Sequence, residues 1–229
     1  MLEDKTEYFY TQIFPKLESI VNTPKRNYPM NSIDFRNIVL FGTPASGKTE
    51  TVRKIVEEAV KFYGKENVNA TKCKSGELQG LLELGLDKKL IQILFADDIM
   101  LEKPDRYLIA RFFSIRHAWL ALTKRNYGLI VGILATHRFH NILPALRTVF
   151  DALICREAPD NKYDSIAIKN YIGEEAIDYL REVKRKRRKN KEFMRYSVVY
   201  SDKRVGILDT PLADSNYLSD LIYPIWWRP

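Results

Sequence analysis

The stretch "NIVLFGTPASGKT" at residues 37–49 restricts the fold more than any other part of the chain. Its opening apolar run, Ile38 to Phe41 after Asn37, reads as a short buried parallel strand. It runs straight into a loop with glycines at 42 and 47. The loop opens a segment, "KTETVRKIVEEAVKFYG", whose Val52, Ile55, Val56, Ala59 and Val60 recur at helical spacing, with Gly64 placed to end it. A strand, a glycine loop and a helix in that order form the context in which GxxxxGK[ST] is a phosphate cradle. Gly42 and Gly47 let backbone N–H groups turn toward one point, and the helix adds its positive N-terminal end. Lys48 can reach the β- and γ-phosphates, and the Thr49 hydroxyl can ligate Mg²⁺. The expected site runs through Gly42, Thr43, Pro44, Ala45, Ser46, Gly47, Lys48, Thr49 and Glu50, with ATP and Mg²⁺ as its cofactors.

A second apolar run, "LIQILFADD", ends in Asp97 and Asp98 about 50 residues beyond the loop. A carboxylate at the end of such a strand can order the water shell of Mg²⁺, and the next can polarise an attacking water. Asp97 is therefore assigned to magnesium and Asp98 to the general base; the plainer alternative is a polar strand end capping the next helix. A third run, "GLIVGILATHR", would deliver Thr136 and His137 beside the γ-phosphate if its strand lies next to the one ending at Asp97. Otherwise His137 is an ordinary loop histidine.

Strands are expected at 37–41, 67–73, 88–99, 128–136 and 151–156. Helices are expected over 48–64, 75–85, 104–126 and 142–150. This alternation predicts an α/β fold with a mostly parallel sheet covered by helices on both faces. Beyond residue 163 a basic helix and a β-hairpin across Ser201–Arg204 follow. Residues 6–22 read as two short helical turns around Pro15, and "TPKRNYPMNS" reads as a linker. The expected division is an N-terminal appendage at 1–32, a nucleotide-binding domain at 33–215 and a tail at 216–229. That tail carries Trp226 and Trp227, which either pack back or meet a partner.

The net charge of +8 is unevenly spread: "REVKRKRRKNK" at 181–191 holds eight basic residues against one acidic. Such a block favours an anionic partner, nucleic acid first, or else is a solvated helix face. Lys184, Arg185, Lys186, Arg187, Arg188, Lys189 and Lys191 are the candidate contacts. No apolar run reaches the roughly 18 residues of a membrane span. The N-terminus lacks a secretory layout, so no membrane association and a cytoplasmic location are expected. Cys73 and Cys155 cannot build a disulfide framework, no spacing suggests zinc, and Cys155 reads as a small buried hydrophobe.

These parts together resemble the additional-strand class of P-loop ATPases, and most closely the FtsK/HerA-type motors that translocate DNA or package genomes. "GLIVGILATHR" is similar to that family's strand ending in Ala-Thr-Gln-Arg-Pro, with His137 for Gln and Phe139 for Pro. "LPALRTVFDALICR" is similar to its helix and strand ending in a basic residue. Asp164, Ser165, Ile168, Gly173, Glu175, Ala176 and Leu180 match a later Asp-Ser…Ile…Gly-Ala-Glu…Leu pattern. The resemblance covers roughly residues 37–210 and implies a RecA-like fold. It also implies ATP hydrolysis coupled to movement of double-stranded DNA and assembly as a homo-oligomeric, usually hexameric, ring. In such a ring a neighbour donates an arginine, for which Arg147 and Arg116 are candidates. A virus, plasmid or other mobile element would suit a motor of this size, with a capsid or replication protein as a further partner. "FADDI" and "LRTVFDALI" also resemble AAA+ initiators and helicase loaders, which carry an all-helical lid after the fifth strand. A small-molecule kinase with "REVKRKRRK" as its lid, or a non-enzymatic nucleotide switch, are the remaining alternatives.

Overall fold

The computed structural model describes residues 2–22, 33–74, 85–97, 115–142, 150–211 and 222–224, the last three by their backbone. Eight strands form one sheet among these residues: β1 (Ile33–Phe41), β2 (Val68–Lys74), β3 (Ile91–Asp97), β4 (Gly128–Thr136), β5 (Ala152–Cys155), β6 (Tyr196–Ser201), β7 (Arg204–Asp209) and β8 (Ile222–Pro224). Their order is β7-β6-β5-β1-β4-β3-β2-β8. Pairing is parallel from β5 to β8, whereas β6 pairs antiparallel with β5 and with β7. The expected mostly parallel sheet is present, and the expected hairpin extends it. β4 lies between β1 and β3, so an additional strand separates the phosphate-loop strand from the acidic one.

The described helices are α1 (Thr6–Ile13), α2 (Leu17–Val21), α3 (Lys48–Tyr63), α4 (Ile115–Thr123) and α5 (Lys162–Arg187). Alternation along the strands decides which helices each face holds. Ile38 and Leu40 of β1 pack with Val52, Ile55 and Val56 of α3. Val39 and Phe41 point the other way, onto Ile168, Ile172, Ala176 and Ile177 of α5. On that second face Trp119 of α4 packs on Leu94 and Ile130. Gly64 ends α3 at φ 81°, as its position predicts. α5 contains a break at Gly173 (φ 78°, ψ 171°) and is physically two helical segments.

Several boundaries move for local reasons. β1 starts at Ile33, four residues earlier than the apolar run, because Ile33–Arg36 complete the ladder against Gly128–Val131. β3 starts at Ile91 instead of 88, because the Asp87 carboxylate accepts from Lys89 N (2.7 Å) and Gln92 Nε2 (2.9 Å) and closes a turn there. α4 stops at Thr123 instead of 126, where Lys124 takes a φ of 58°.

The N-terminal helices are not an appendage. Phe9, Tyr10, Ile13, Phe14 and Ile20 are buried in the same cluster as α3 and the sheet. Tyr63 of α3 donates to the Pro15 carbonyl (2.6 Å). Residues before α1 cover the β7 edge through Lys5 N to Ile207 O (2.9 Å) and Ile207 N to Glu3 O (2.8 Å). Within the tail, Ile222–Pro224 pairs with β2 as a strand that the sequence reading did not anticipate. The helices expected at 75–85 and 142–150, the first part of the helix expected at 104–126, and Trp226 and Trp227 lie outside the described residues, or nearly all of them do.

Candidate functional site: a phosphate loop at the sheet's switch point

Strand order reverses at β1: α3 leads away to β2 on one side, while β5 lies on the other. Ligands of open α/β sheets bind outside the carboxyl ends of strands at such a point. Here the loop 42–47 emerges between the ends of β4 and β5, joined to them by Gly42 N to Thr136 O (3.2 Å) and Arg156 N to Phe41 O (2.9 Å).

The loop needs its glycines. Gly47 has φ 89°, and a Cβ there would sit 2.9 Å from the Arg156 guanidinium; a Cβ on Gly42 would meet Ser46 Oγ at 2.4 Å. Ala45 also takes a left-handed φ of 60°. α3 starts at Lys48, so its first-turn N–H groups face the loop. Lys48 is 6% exposed. Its Nζ donates to Gly42 O (2.8 Å) and Thr43 O (3.1 Å) and lies 2.9 Å from His137 Nδ1. The ammonium thus sits in the mouth of the loop, held by carbonyls that a polyphosphate would outbid as an anionic partner.

His137 follows β4, and its Nδ1 also lies 2.7 Å from Gly42 O. The structure brings together Lys48 and His137 as the strand order requires. Thr136 is directed elsewhere, its Oγ1 accepting from Arg138 N (3.1 Å). Asp97 ends β3 and pairs with Lys72 Nζ of β2 at 2.6 Å; Lys72 also lies over the Phe95 ring, 5.3 Å from its centroid. Thr49, in the first turn of α3, and Asp97 supply hydroxyl and carboxylate oxygens, hard donors of the kind Mg²⁺ takes. Pro44 and Ala45 are exposed, and Glu50 turns aside to Arg53 (2.6 Å). Ser46 Oγ is buried without a hydrogen-bond partner among the described residues. The left-handed glycine, the poised ammonium, the helix start and the oxygen donors fit a Mg²⁺-bound nucleoside triphosphate. Among the described residues no cluster of three His, Cys, Asp or Glu could hold a metal on its own. Asp98 and Arg147 lie outside the described residues. Arg116 is half-buried in the first turn of α4.

The basic block divides in two. Arg187 is buried, spending its guanidinium on Phe193 O (3.0 Å), Tyr196 O (2.5 Å) and Glu157 (3.5 Å). Burial depresses its pKa, and the Glu157 charge offsets this in part. Lys184 pairs with Asp160 (2.8 Å) and Glu157 (3.5 Å), and Lys186 with Glu182 (2.7 Å). Arg185, Arg188, Lys189 and Lys191 are exposed. Arg187 is therefore a structural residue of this segment, and Arg185, Arg188, Lys189 and Lys191, exposed like the Glu182-paired Lys186, are the ones a polyanion reaches first.

Arg156 and Glu157, directly after β5, received no role from sequence. Arg156 is 2% exposed. It donates from Nε to Ser46 O (3.1 Å) and from Nη1 to Thr210 Oγ1 (3.2 Å), and its Nη2 bonds Met194 O. Burial, reinforced by the nearby Arg187 charge, brings its pKa down to about 9. Glu157 accepts from Thr43 Oγ1 (2.6 Å). Beyond the likeness of Arg156 to the basic residue ending the family's strand, their sequence signal is a charged pair closing a short apolar strand. Asp164 has a supporting role: fully buried at the start of α5, it accepts from His140 N (2.7 Å) and fixes the turn after His137.

The fold is similar to that of the genome packaging NTPase B204 from Sulfolobus turreted icosahedral virus 2 in complex with AMPPCP. Identity is 14% over 81% of this chain and 100% of that chain, with a TM-score of 0.50. The same NTPase in complex with ATP-gammaS matches at 14% identity over 78% of this chain and 98% of that chain, also with a TM-score of 0.50. No protein-family model matches the chain, and no curated protein matches it significantly in sequence. The chain has a RecA-like P-loop fold with an additional strand between the phosphate-loop strand and the acidic one. No described helix is long and apolar enough to cross a membrane.

Proposed function

We propose that this chain is a Mg²⁺-dependent ATPase whose hydrolysis translocates or packages double-stranded DNA, encoded by a virus or another mobile element. The observation that carries the reading is the contact of Lys48 with His137 at the mouth of the loop, with β4 inserted between β1 and the strand β3 that ends at Asp97. B204 itself is a genome packaging NTPase that forms complexes with AMPPCP and ATP-gammaS, and its shared fold supports the same reading here. β6 and β7 continue the sheet where an AAA+ loader would carry a helical lid, which supports a FtsK/HerA-type motor over a loader.

In this reading Lys48 and the loop amides bind the phosphates, and Thr49 and Asp97 would hold Mg²⁺, which would supply neutralisation of phosphate charge. Asp98 activates water, and His137 positions Lys48 and the γ-phosphate. The motor works as a homo-oligomeric ring, a hexamer by preference, with Arg147 or Arg116 reaching a neighbour's site. A capsid or replication protein docks it, in the host cytoplasm if the source is viral. Arg185, Arg188, Lys189 and Lys191 meet the DNA backbone without reading bases, as sequence-independent movement requires.

The test is steady-state ATP hydrolysis by the wild type and by Lys48→Ala, with long duplex, single-stranded or no DNA. Stimulation by long duplex, absent in the variant, is the expected result. Hydrolysis indifferent to every DNA would overturn the motor reading.

A further inference from the structure

The two residues after β5 reach from the phosphate loop to the basic segment. Arg156 links Ser46 O to Met194 O and Thr210. Glu157 links the Thr43 hydroxyl (2.6 Å) to Lys184 and Arg187 (3.5 Å each). The Glu157 partners are unequal. The hydroxyl contact is short, whereas both cation contacts exceed the roughly 2.7–2.9 Å of a close charge-assisted bond. The carboxylate is held toward the loop and stretched from its cations. Glu157 and Arg187 side chains are 12% and 5% exposed, so solvent screens them weakly.

A polyphosphate entering the loop places several negative charges beside this carboxylate. Like charges at that range in a shielded site repel strongly, and the nearest relief is toward Lys184 and Arg187. Arg156 moves differently: it bonds the loop through the Ser46 backbone carbonyl, which an arriving anion leaves in place. One link is a pivot and the other responds to charge.

We propose that Glu157 is a positioning residue that exchanges Thr43 for Lys184 and Arg187 when the loop takes up phosphate, tying the basic segment 184–195 to nucleotide occupancy. This rests on the nucleotide reading above. Tightened pairs draw the end of α5 and the turn Lys191–Arg195 onto the domain, since Arg187 also holds the carbonyls of Phe193 and Tyr196. The coupling is reciprocal: DNA phosphates that hold Arg185 and Arg188 and draw the segment away from Glu157 return the carboxylate toward Thr43 and weaken nucleotide binding.

The experiment is amide hydrogen exchange of the full chain with and without Mg²⁺ and a non-hydrolysable ATP analogue, in the wild type, Glu157→Gln and Thr43→Ala. In the wild type, residues 42–50 become protected and exchange over 184–195 slows about fivefold or more. In Glu157→Gln, the segment exchanges fast in both states. In Thr43→Ala, where the carboxylate already rests on its cations, it exchanges slowly in both states; a merely structural Glu157 would not produce this. Thr43→Ala keeps the buried ion pairs and stands in if Glu157→Gln fails to fold. Protection at 42–50 without a response at 184–195, or a Glu157→Gln response equal to the wild type, overturns the coupling alone. No protection at 42–50 overturns the nucleotide reading and the coupling with it. The hydrolysis assay judges the DNA reading separately.

Discussion

Lys48 and His137 meet across the mouth of the phosphate loop, with Nζ 2.9 Å from Nδ1 and both within hydrogen-bond reach of Gly42 O. A neutral imidazole nitrogen either accepts or donates. With its proton on Nε2, His137 accepts from the ammonium at Nδ1; with its proton on Nδ1, it donates to the carbonyl instead. The contact therefore has two settings, one for each tautomer of His137.

His137→Ala should lower kcat for ATP hydrolysis about 100-fold, the scale of losing one aligned polar group at a site of developing charge. Affinity for an ATP analogue should change far less, because Lys48 keeps its place between two carbonyls. Equal losses in kcat and affinity would mean that His137 only supports the loop. Steady-state kinetics beside equilibrium binding separates the two.

Asp97 is the carboxylate we propose for magnesium. Asp97→Asn should raise the Mg²⁺ concentration needed for half-maximal nucleotide binding about 10–100-fold, as removal of an orienting carboxylate around a metal does. The pair with Lys72 disappears as well, so binding without Mg²⁺ serves as the control. An unchanged Mg²⁺ titration would remove Asp97 from the metal's surroundings.

Phe9 tests whether the N-terminal helices belong to the domain. Its ring is fully buried against the α3 cluster. Phe9→Ala should cost about 3–5 kcal/mol of unfolding free energy by urea denaturation, the usual scale for emptying a packed aromatic site. A loss below about 1 kcal/mol, typical of surface positions, would make the helices peripheral.

Glu57 sets part of the acid limb of stability. Burial pushes its carboxyl up. Hydrogen bonds from Lys61 and Lys54, with their charges, more than offset this and hold it below its usual 4.5. A carboxyl lower in the folded than in the unfolded state contributes stability above 4.5 that is lost as pH falls through the folded value. Glu57→Gln should therefore be less stable than the wild type at pH 7, with the difference shrinking toward zero below pH 4.5. Denaturation at a series of pH values reads this directly. A constant difference would place the effect outside ionisation.

Local sequence determined the phosphate loop, α3 and its glycine stop, the exact span of β4, the acidic end of β3 and the turn of the β6–β7 hairpin. Each follows from neighbours within a few residues: apolar runs, helical spacing, and glycines where φ must be positive. Burial of Phe9 and Ile13, the added strand Ile222–Pro224, and the links of Glu157 to Thr43 and of Lys72 to Asp97 came only with the tertiary structure. Phe9 and Val56 are 47 positions apart and Lys72 and Asp97 are 25 apart, and periodicity carries no information across such gaps. The same holds for the basic block, where eight like charges look equivalent in sequence. The folded chain buries Arg187 among carbonyls and leaves Arg185, Arg188, Lys189 and Lys191 in solvent. Which side chains pay desolvation and which stay hydrated depends on the direction each takes from α5, and that is set by what α5 packs against.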